Sequence, residues 1–196
     1  MTIRKRESGH IPGDWEAGRS AGTRKPFPLL IDLEGEPCLV VGAGDVATRK
    51  AAALADFGAH VTTVSPEVCG RGFDERDVAG MRLVVAATDD RAVNARVAAA
   101  CRAQGVPVNV VDDPALCTFV FPAIARKGSM LVAVSSGGAC PTAAQMLRDK
   151  AARLMTDEFV EAVERLGQDR EKLKREFPDP RERKRKCEEA LARWRD

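Results

Sequence analysis

Histidine is scarce in this sequence: His10 and His60 are the only two in 196 residues. The six cysteines (Cys38, Cys69, Cys101, Cys117, Cys140, Cys187) lie far apart and form no C-x-x-C. No His/Cys cluster has ligand spacing, so no resident metal is expected. Several of the cysteines sit in apolar contexts, which predicts reduced, buried thiols in a cytoplasmic protein. No apolar run approaches the ~18 residues of a membrane span. Residues 1–25 show no hydrophobic stretch of the signal-peptide kind. With six basic and three acidic residues, they are expected to be a disordered tail. A continuous basic face is also missing. The net charge is +2, and residues 26–150 carry twelve basic against fourteen acidic side chains, so nucleic acid is not an expected partner. The run Arg181–Lys186 sits in a helical pattern with Cys187, Ala190, Leu191 and Trp194 on one face, and is expected to be a solvated helix surface. There is no internal repeat and no long linker.

What is present begins with Val40-Val41-Gly42-Ala43-Gly44-Asp45-Val46-Ala47. An apolar, β-branched run ends in G-x-G-x-x-A and opens into an alanine-rich helical pattern. Strand before and helix after is the context a dinucleotide-binding turn requires. Gly42 permits the tight turn. Gly44 lets backbone N–H groups approach a pyrophosphate, and Ala47 lets the helix sit close on the sheet with its positive end toward the phosphates. Pro37–Val41 is predicted as a buried strand. Asp45–Phe57 is predicted as a helix with Ala47, Ala51, Leu54 and Ala55 on one face, ended by Gly58. A second strand, His60–Val64, leads to Ser65-Pro66-Glu67. Glu67 lies 20 residues beyond Ala47, about where a carboxylate meets the adenosine ribose. Its plainer alternative is the start of a solvated loop. Arg71 is near enough to keep a 2′-phosphate in play, so NAD is favoured over NADP without being required.

The βαβ rhythm continues. Met81–Thr88 is predicted as a third strand, and Asp89 or Asp90 as the cap of a helix whose Val93, Val97 and Cys101 share a face. Thr88 should project toward the nucleotide, since ligands sit beyond the carboxyl ends of parallel strands. Val106–Val111, a fourth strand, ends in Asp112-Asp113-Pro114. Thereafter Thr118–Ile124 and Ser129–Ser135 are expected to form a hairpin through Arg126-Lys127-Gly128. Pro141 begins a helix, Thr156 with Asp157 and Glu158 another, and Asp179-Pro180 with Glu182 a last one. The predicted fold class is α/β. A Rossmann-type parallel sheet is followed by a small β-containing dimerisation region and a C-terminal helical domain. The boundaries are 1–25 tail, 26–113 NAD-binding domain, 114–150 dimerisation region and 151–196 helical domain. Subunit pairing would bury the apolar stripes of the thin C-terminal core.

The ordered motifs PLLIDL (Pro28–Leu33), GAGDVATRK (Gly42–Lys50), AATDD (Ala86–Asp90), NVVDDP (Asn109–Pro114), FVFPAI (Phe119–Ile124) and VAVSSGGACP (Val134–Pro141) together resemble the precorrin-2 dehydrogenase family, the NAD-dependent part of siroheme synthases. The resemblance covers about residues 26–155. Cys140 stands where the family usually has serine.

The resemblance implies a homodimer that oxidises the tetrapyrrole precorrin-2 to sirohydrochlorin with NAD. Some members also insert ferrous iron. It matches the family's essential carboxylate to Asp112 and its nucleotide contacts to Asp45, Val46, Pro66 and Glu67. Ser136 matches a serine phosphorylated in some relatives. The methyltransferase domain fused in certain relatives is expected to be absent, so precorrin-2 would arrive ready-made. Chemically, removing two hydrogens from a reduced tetrapyrrole needs a hydride acceptor and a base for the proton. Asp112 is the candidate base, and a turn cap ahead of Pro114 is its structural alternative. The substrate's carboxylates call for cations, with Arg126, Lys127, Arg148 and Lys150 as candidates, or the backbone N–H groups of Ser135–Gly138. Two other functions compete: a non-catalytic NAD(H)-sensing dimer, which needs no base, and an oxidoreductase of another small molecule.

Overall fold

The computed structural model describes residues 26–194; the predicted tail, with His10, lies outside them. The described chain forms two compact units, one ending at Val120 and the other beginning at Phe121.

The first unit is built on a parallel sheet of β1 (Pro37–Val41), β2 (His60–Val64), β3 (Leu83–Ala86) and β4 (Val108–Val110), in the order β2-β1-β3-β4. β1 and β3 are the interior strands. Their runs Cys38–Val41 and Leu83–Ala86 are buried throughout, as expected of strands covered on both faces. Helix α1 (Asp45–Ala55) joins β1 to β2, and α3 (Arg91–Gln104) joins β3 to β4. Between them lies a single helical turn, α2 (Pro66–Cys69). Right-handed crossovers on either side of the β1/β3 reversal direct α1 and α3 to opposite faces. The alternation of side chains agrees. Leu39, Val41, Val84, Ala86, Val108 and Val110 share a cluster with Val97, Ala98 and Cys101 of α3. Cys38, Val40, Leu83 and Val85 point the other way, the side on which α1 buries Ala47 and Leu54.

Local chemistry sets the element ends. Asp90 caps α3 by accepting N–H bonds from Ala92 (2.7 Å) and Val93 (3.2 Å). Gly105 closes it in the left-handed conformation. The α1 helix stops at Ala55, two residues earlier than its pattern suggests, and its last turn tightens through Gly58 N–H to the Ala55 carbonyl (2.9 Å). Ala55 is exposed and Ala51 half-buried, so the buried stripe is narrower than predicted. The β3 and β4 strands are also shorter than their apolar runs, spanning only Leu83–Ala86 and Val108–Val110.

The second unit holds an antiparallel hairpin, β5 (Ala123–Lys127) and β6 (Met130–Val134), followed by α4 (Pro141–Ala152), α5 (Asp157–Gln168), α6 (Arg170–Glu176) and α7 (Pro180–Ala190). The hairpin turns at Gly128-Ser129, so Arg126 and Lys127 belong to a strand and not to the turn. Gly128 has φ +52°, and a Cβ there would come within 2.6 Å of Val160 Cγ1. Thr118 to Pro122 is not a strand; Thr118 instead borders β4. Asp179 caps α7 through the Arg181 N–H at 3.0 Å. Among the described residues no helix is long and apolar enough to cross a membrane.

Candidate functional site

The strand register brings the predicted site residues of the first unit to one edge. Val41 pairs with Val64 on one side and with Ala86 on the other, and Ala86 pairs with Val110. Four strands therefore end at one level. The four segments that leave them are the glycine turn (42–45), Ser65-Pro66-Glu67, Ala87-Thr88 and Val111-Asp112-Asp113. Ligands of open parallel sheets sit at such an edge, where strand order reverses; here that reversal lies between β1 and β3.

At the reversal the glycine turn packs on its neighbour. Gly42 has φ +121°, and a Cβ placed on it would strike the Ala87 carbonyl oxygen and stand 2.7 Å from the carbonyl carbon. Its N–H bonds the Val64 carbonyl at 2.9 Å, while the Ala87 N–H bonds the Val41 carbonyl at 2.8 Å. Only glycine fits there. Gly44 differs. It is the N-cap of α1 with φ −70°, and nothing lies within 4 Å of where its Cβ would be. Its side-chain direction is open space at the positive end of an eleven-residue helix, which is the cradle a pyrophosphate needs. Asp45 is exposed, Val46 half-buried and Ala47 buried against the sheet. These residues fit a dinucleotide.

Glu67 is exposed in the first turn of α2. Its own backbone N–H and the Ser65 hydroxyl hold its carboxyl below the usual range, so it presents a full negative charge at the β2 end. Pro66 is the first residue of that turn. Thr88 is more constrained than predicted. Its hydroxyl lies 2.8 Å from Asn94 Oδ1 and 3.0 Å from the Asp90 carbonyl, and Asn94 Nδ2 donates back to the Thr88 carbonyl at 2.8 Å. Asn94 is buried and was not anticipated. A single amide inside the apolar stripe of α3 was the only signal for it.

Asp112 is exposed and has φ +58°, the only positive φ among described non-glycine residues. Aspartate tolerates this region better than most residues, yet it carries strain of about 1 kcal/mol or more. The turn is pinned from behind by Cys117. The thiol accepts the Val110 N–H at 3.1 Å, lies 3.1 Å from the Val110 carbonyl and 3.4 Å from that of Asp113. Lys50, on α1, is a second unpredicted neighbour. Burial and the adjacent Arg49 pull its ammonium below the usual lysine range, and the Cys117 sulfur opposes this.

Of the four candidate cations, all in the second unit, Lys127 pairs with Asp157 at 2.8 Å. Arg148 bonds Asp149 (2.6 Å) and the Ile124 carbonyl (3.0 Å). Arg126 and Lys150 are exposed. In the Ser135–Gly138 segment, Ser135 Oγ accepts the Gly137 N–H and Ser136 Oγ accepts the Cys140 N–H, so these groups are partly engaged locally. Among the described residues no three His, Cys, Asp or Glu side chains converge to hold a metal ion.

Comparisons with known proteins agree with this geometry. A family model described as NAD(P)-binding matches residues 29–123. A siroheme synthase of Methylococcus capsulatus is 44% identical over 181 residues, which is 84% of this chain and 38% of that protein. One of Ectopseudomonas mendocina is 42% identical over 171 residues, 81% of this chain and 37% of the relative. The chain thus spans under two-fifths of the length of these relatives. Among solved structures, SirC, a precorrin-2 dehydrogenase, superposes with a TM-score of 0.58 at 23% identity, covering 86% of this chain and 98% of its own. That likeness carries the fold.

Proposed function

This chain belongs to the precorrin-2 dehydrogenase family, the NAD-dependent part of siroheme synthases, and from that premise we propose that it oxidises precorrin-2 to sirohydrochlorin with NAD in the cytoplasm. The observation that carries the proposal is the level edge at which the glycine turn, Glu67, Thr88 and Asp112 leave adjacent strands. Gly42 and Gly44 leave backbone N–H groups of α1 open to a pyrophosphate. Glu67 accepts from the ribose hydroxyls, and Thr88 contributes main-chain surface beside the glycine turn. A bound nicotinamide supplies the hydride acceptor. Asp112, exposed on a strained turn two residues past the end of β4, takes the proton.

The chain works as a homodimer. The second unit buries few side chains completely (Ala144, Met155 and Val160), while Met146, Leu147 and Leu154 are 60%, 56% and 73% exposed. A second copy laid on α4 and the half-buried hairpin would cover them.

The test is direct. Enzymatically made precorrin-2 and NAD are mixed with the protein, and the sirohydrochlorin absorption spectrum is followed; its absence ends the proposal. Ferrous iron added to the same mixture reads out metal insertion. Asp112→Asn is expected to slow turnover by about 10²–10⁴-fold with NAD affinity nearly unchanged. An unaltered rate would remove Asp112 from the mechanism and favour the NAD(H)-sensing alternative, which has no use for a base.

A further inference from the structure

After Glu67 the chain doubles back. Gly70 ends α2 with φ +71°, and Sγ of Cys69 lies 3.3 Å from the Ser65 carbonyl and 3.5 Å from that of Arg71. The main chain of Arg71 is thereby returned to the mouth of β2. In dinucleotide folds an acid at this mouth takes the ribose 2′-hydroxyl, and a nearby arginine accommodates a 2′-phosphate. Arg71 has the right chemistry for the phosphate, but its guanidinium is committed. Nη1 donates to Asp77 Oδ2 at 2.8 Å and Nη2 to Oδ1 at 2.6 Å. Asp77 is itself anchored, since Oδ2 also accepts the Asp74 N–H at 2.9 Å. Its side chain is 14% exposed against 52% for Arg71. One turn away Asp74 occupies Arg76 in the same two-pronged manner, at 2.8 Å for each bond. These four side chains line an open cleft of about 540 Å³ with Gly72 and Phe73.

We propose that Asp77 is the residue that makes this site choose NAD over NADP, by holding Arg71 in a two-point pair and denying its charge to a 2′-phosphate. An incoming phosphate would have to displace a carboxylate fixed by a third bond. A planar guanidinium binds carboxylate and phosphate with the same fork, so the two compete for one partner. The inference rests on the dinucleotide site proposed above.

The experiment is calorimetric titration of the full chain with NAD and with NADP. Asp77→Asn keeps an acceptor for the Asp74 N–H while removing the charge that holds Arg71; Asp77→Ser removes the reach as well. Both variants are expected to bind NADP about tenfold tighter or more, with NAD affinity within about twofold, and Arg71→Ala added to either should abolish the gain. Unchanged NADP affinity in both variants overturns the inference alone, as does a gain that survives Arg71→Ala. Loss of NAD affinity in both variants would make Asp77 a support of the loop and overturns it too. A wild-type chain that binds neither nucleotide removes the dinucleotide site and this inference together.

Discussion

Gly42 and Gly44 stand two positions apart in one motif, yet the structure asks different things of them. Gly42 has a left-handed φ and no room, because a side chain would meet the Ala87 carbonyl. Gly44 has an ordinary φ and open space. Gly42→Ala should therefore destabilise the folded state by about 1–3 kcal/mol for the backbone conformation, with a comparable overpacking cost. Gly44→Ala should cost only about 1 kcal/mol, the N-cap preference for glycine over alanine, while weakening nucleotide binding, since its new methyl enters the space left for phosphate. Urea denaturation beside NAD titration separates the two effects. Equal stability losses would mean that both glycines serve only the turn.

At the scale of elements, β4 illustrates how an edge strand is protected. Among the described residues its outer side has no neighbouring strand. Thr118 fills that role by accepting the Val108 N–H through Oγ1 at 2.7 Å and donating its own N–H to the Val108 carbonyl at 2.8 Å, while the Cys117 thiol serves both main-chain groups of Val110. Such cover blunts strand-to-strand aggregation and fixes the turn bearing Asp112. Cys117→Ala would leave the buried Val110 groups short of a partner, at a cost of about 1–3 kcal/mol; Cys117→Ser can restore the bonds. Amide hydrogen exchange at Val110 should accelerate in the alanine variant and recover in the serine one, and precorrin-2 turnover should follow the same order. Exchange unchanged by alanine would show that water replaces the thiol freely. None of this was readable beforehand. The parallel strands and glycine turn were legible because apolar runs and glycine spacing are local patterns. The pairs Thr88–Asn94, Arg71–Asp77 and Cys117–Val110 depend on how the chain returns after a helix or turn, which no local pattern encodes. Thr118 was read as the start of a strand because a β-branched residue satisfying a sheet edge has the composition of a strand member.

Across the whole molecule, the fully buried thiols mark where the core is. Cys38, Cys101 and Cys117 are buried in the first unit, whereas Cys69 and Cys140 are exposed. Burial pushes the Cys101 thiol up to about 12, and it raises Cys38 as well, with the Leu83 backbone pulling the other way. An unfolded thiol loses its proton near pH 8.5, so above that pH the native state binds more protons than the unfolded one. Stability tied to the protonated Cys101 thiol is complete below about pH 8.5 and is lost as pH climbs toward 12, at up to about 1.4 kcal/mol per pH unit; the raised Cys38 acts in the same direction. Native protein treated with iodoacetamide at pH 8 should be alkylated at Cys69 and Cys140, with Cys38, Cys101 and Cys117 protected until urea unfolds the first unit. The urea concentration that exposes Cys101 should fall between pH 8 and pH 10.5. A midpoint that does not move, or Cys101 alkylated as fast as a free thiol in native protein, would mean that the sheet and α3 do not enclose it as described.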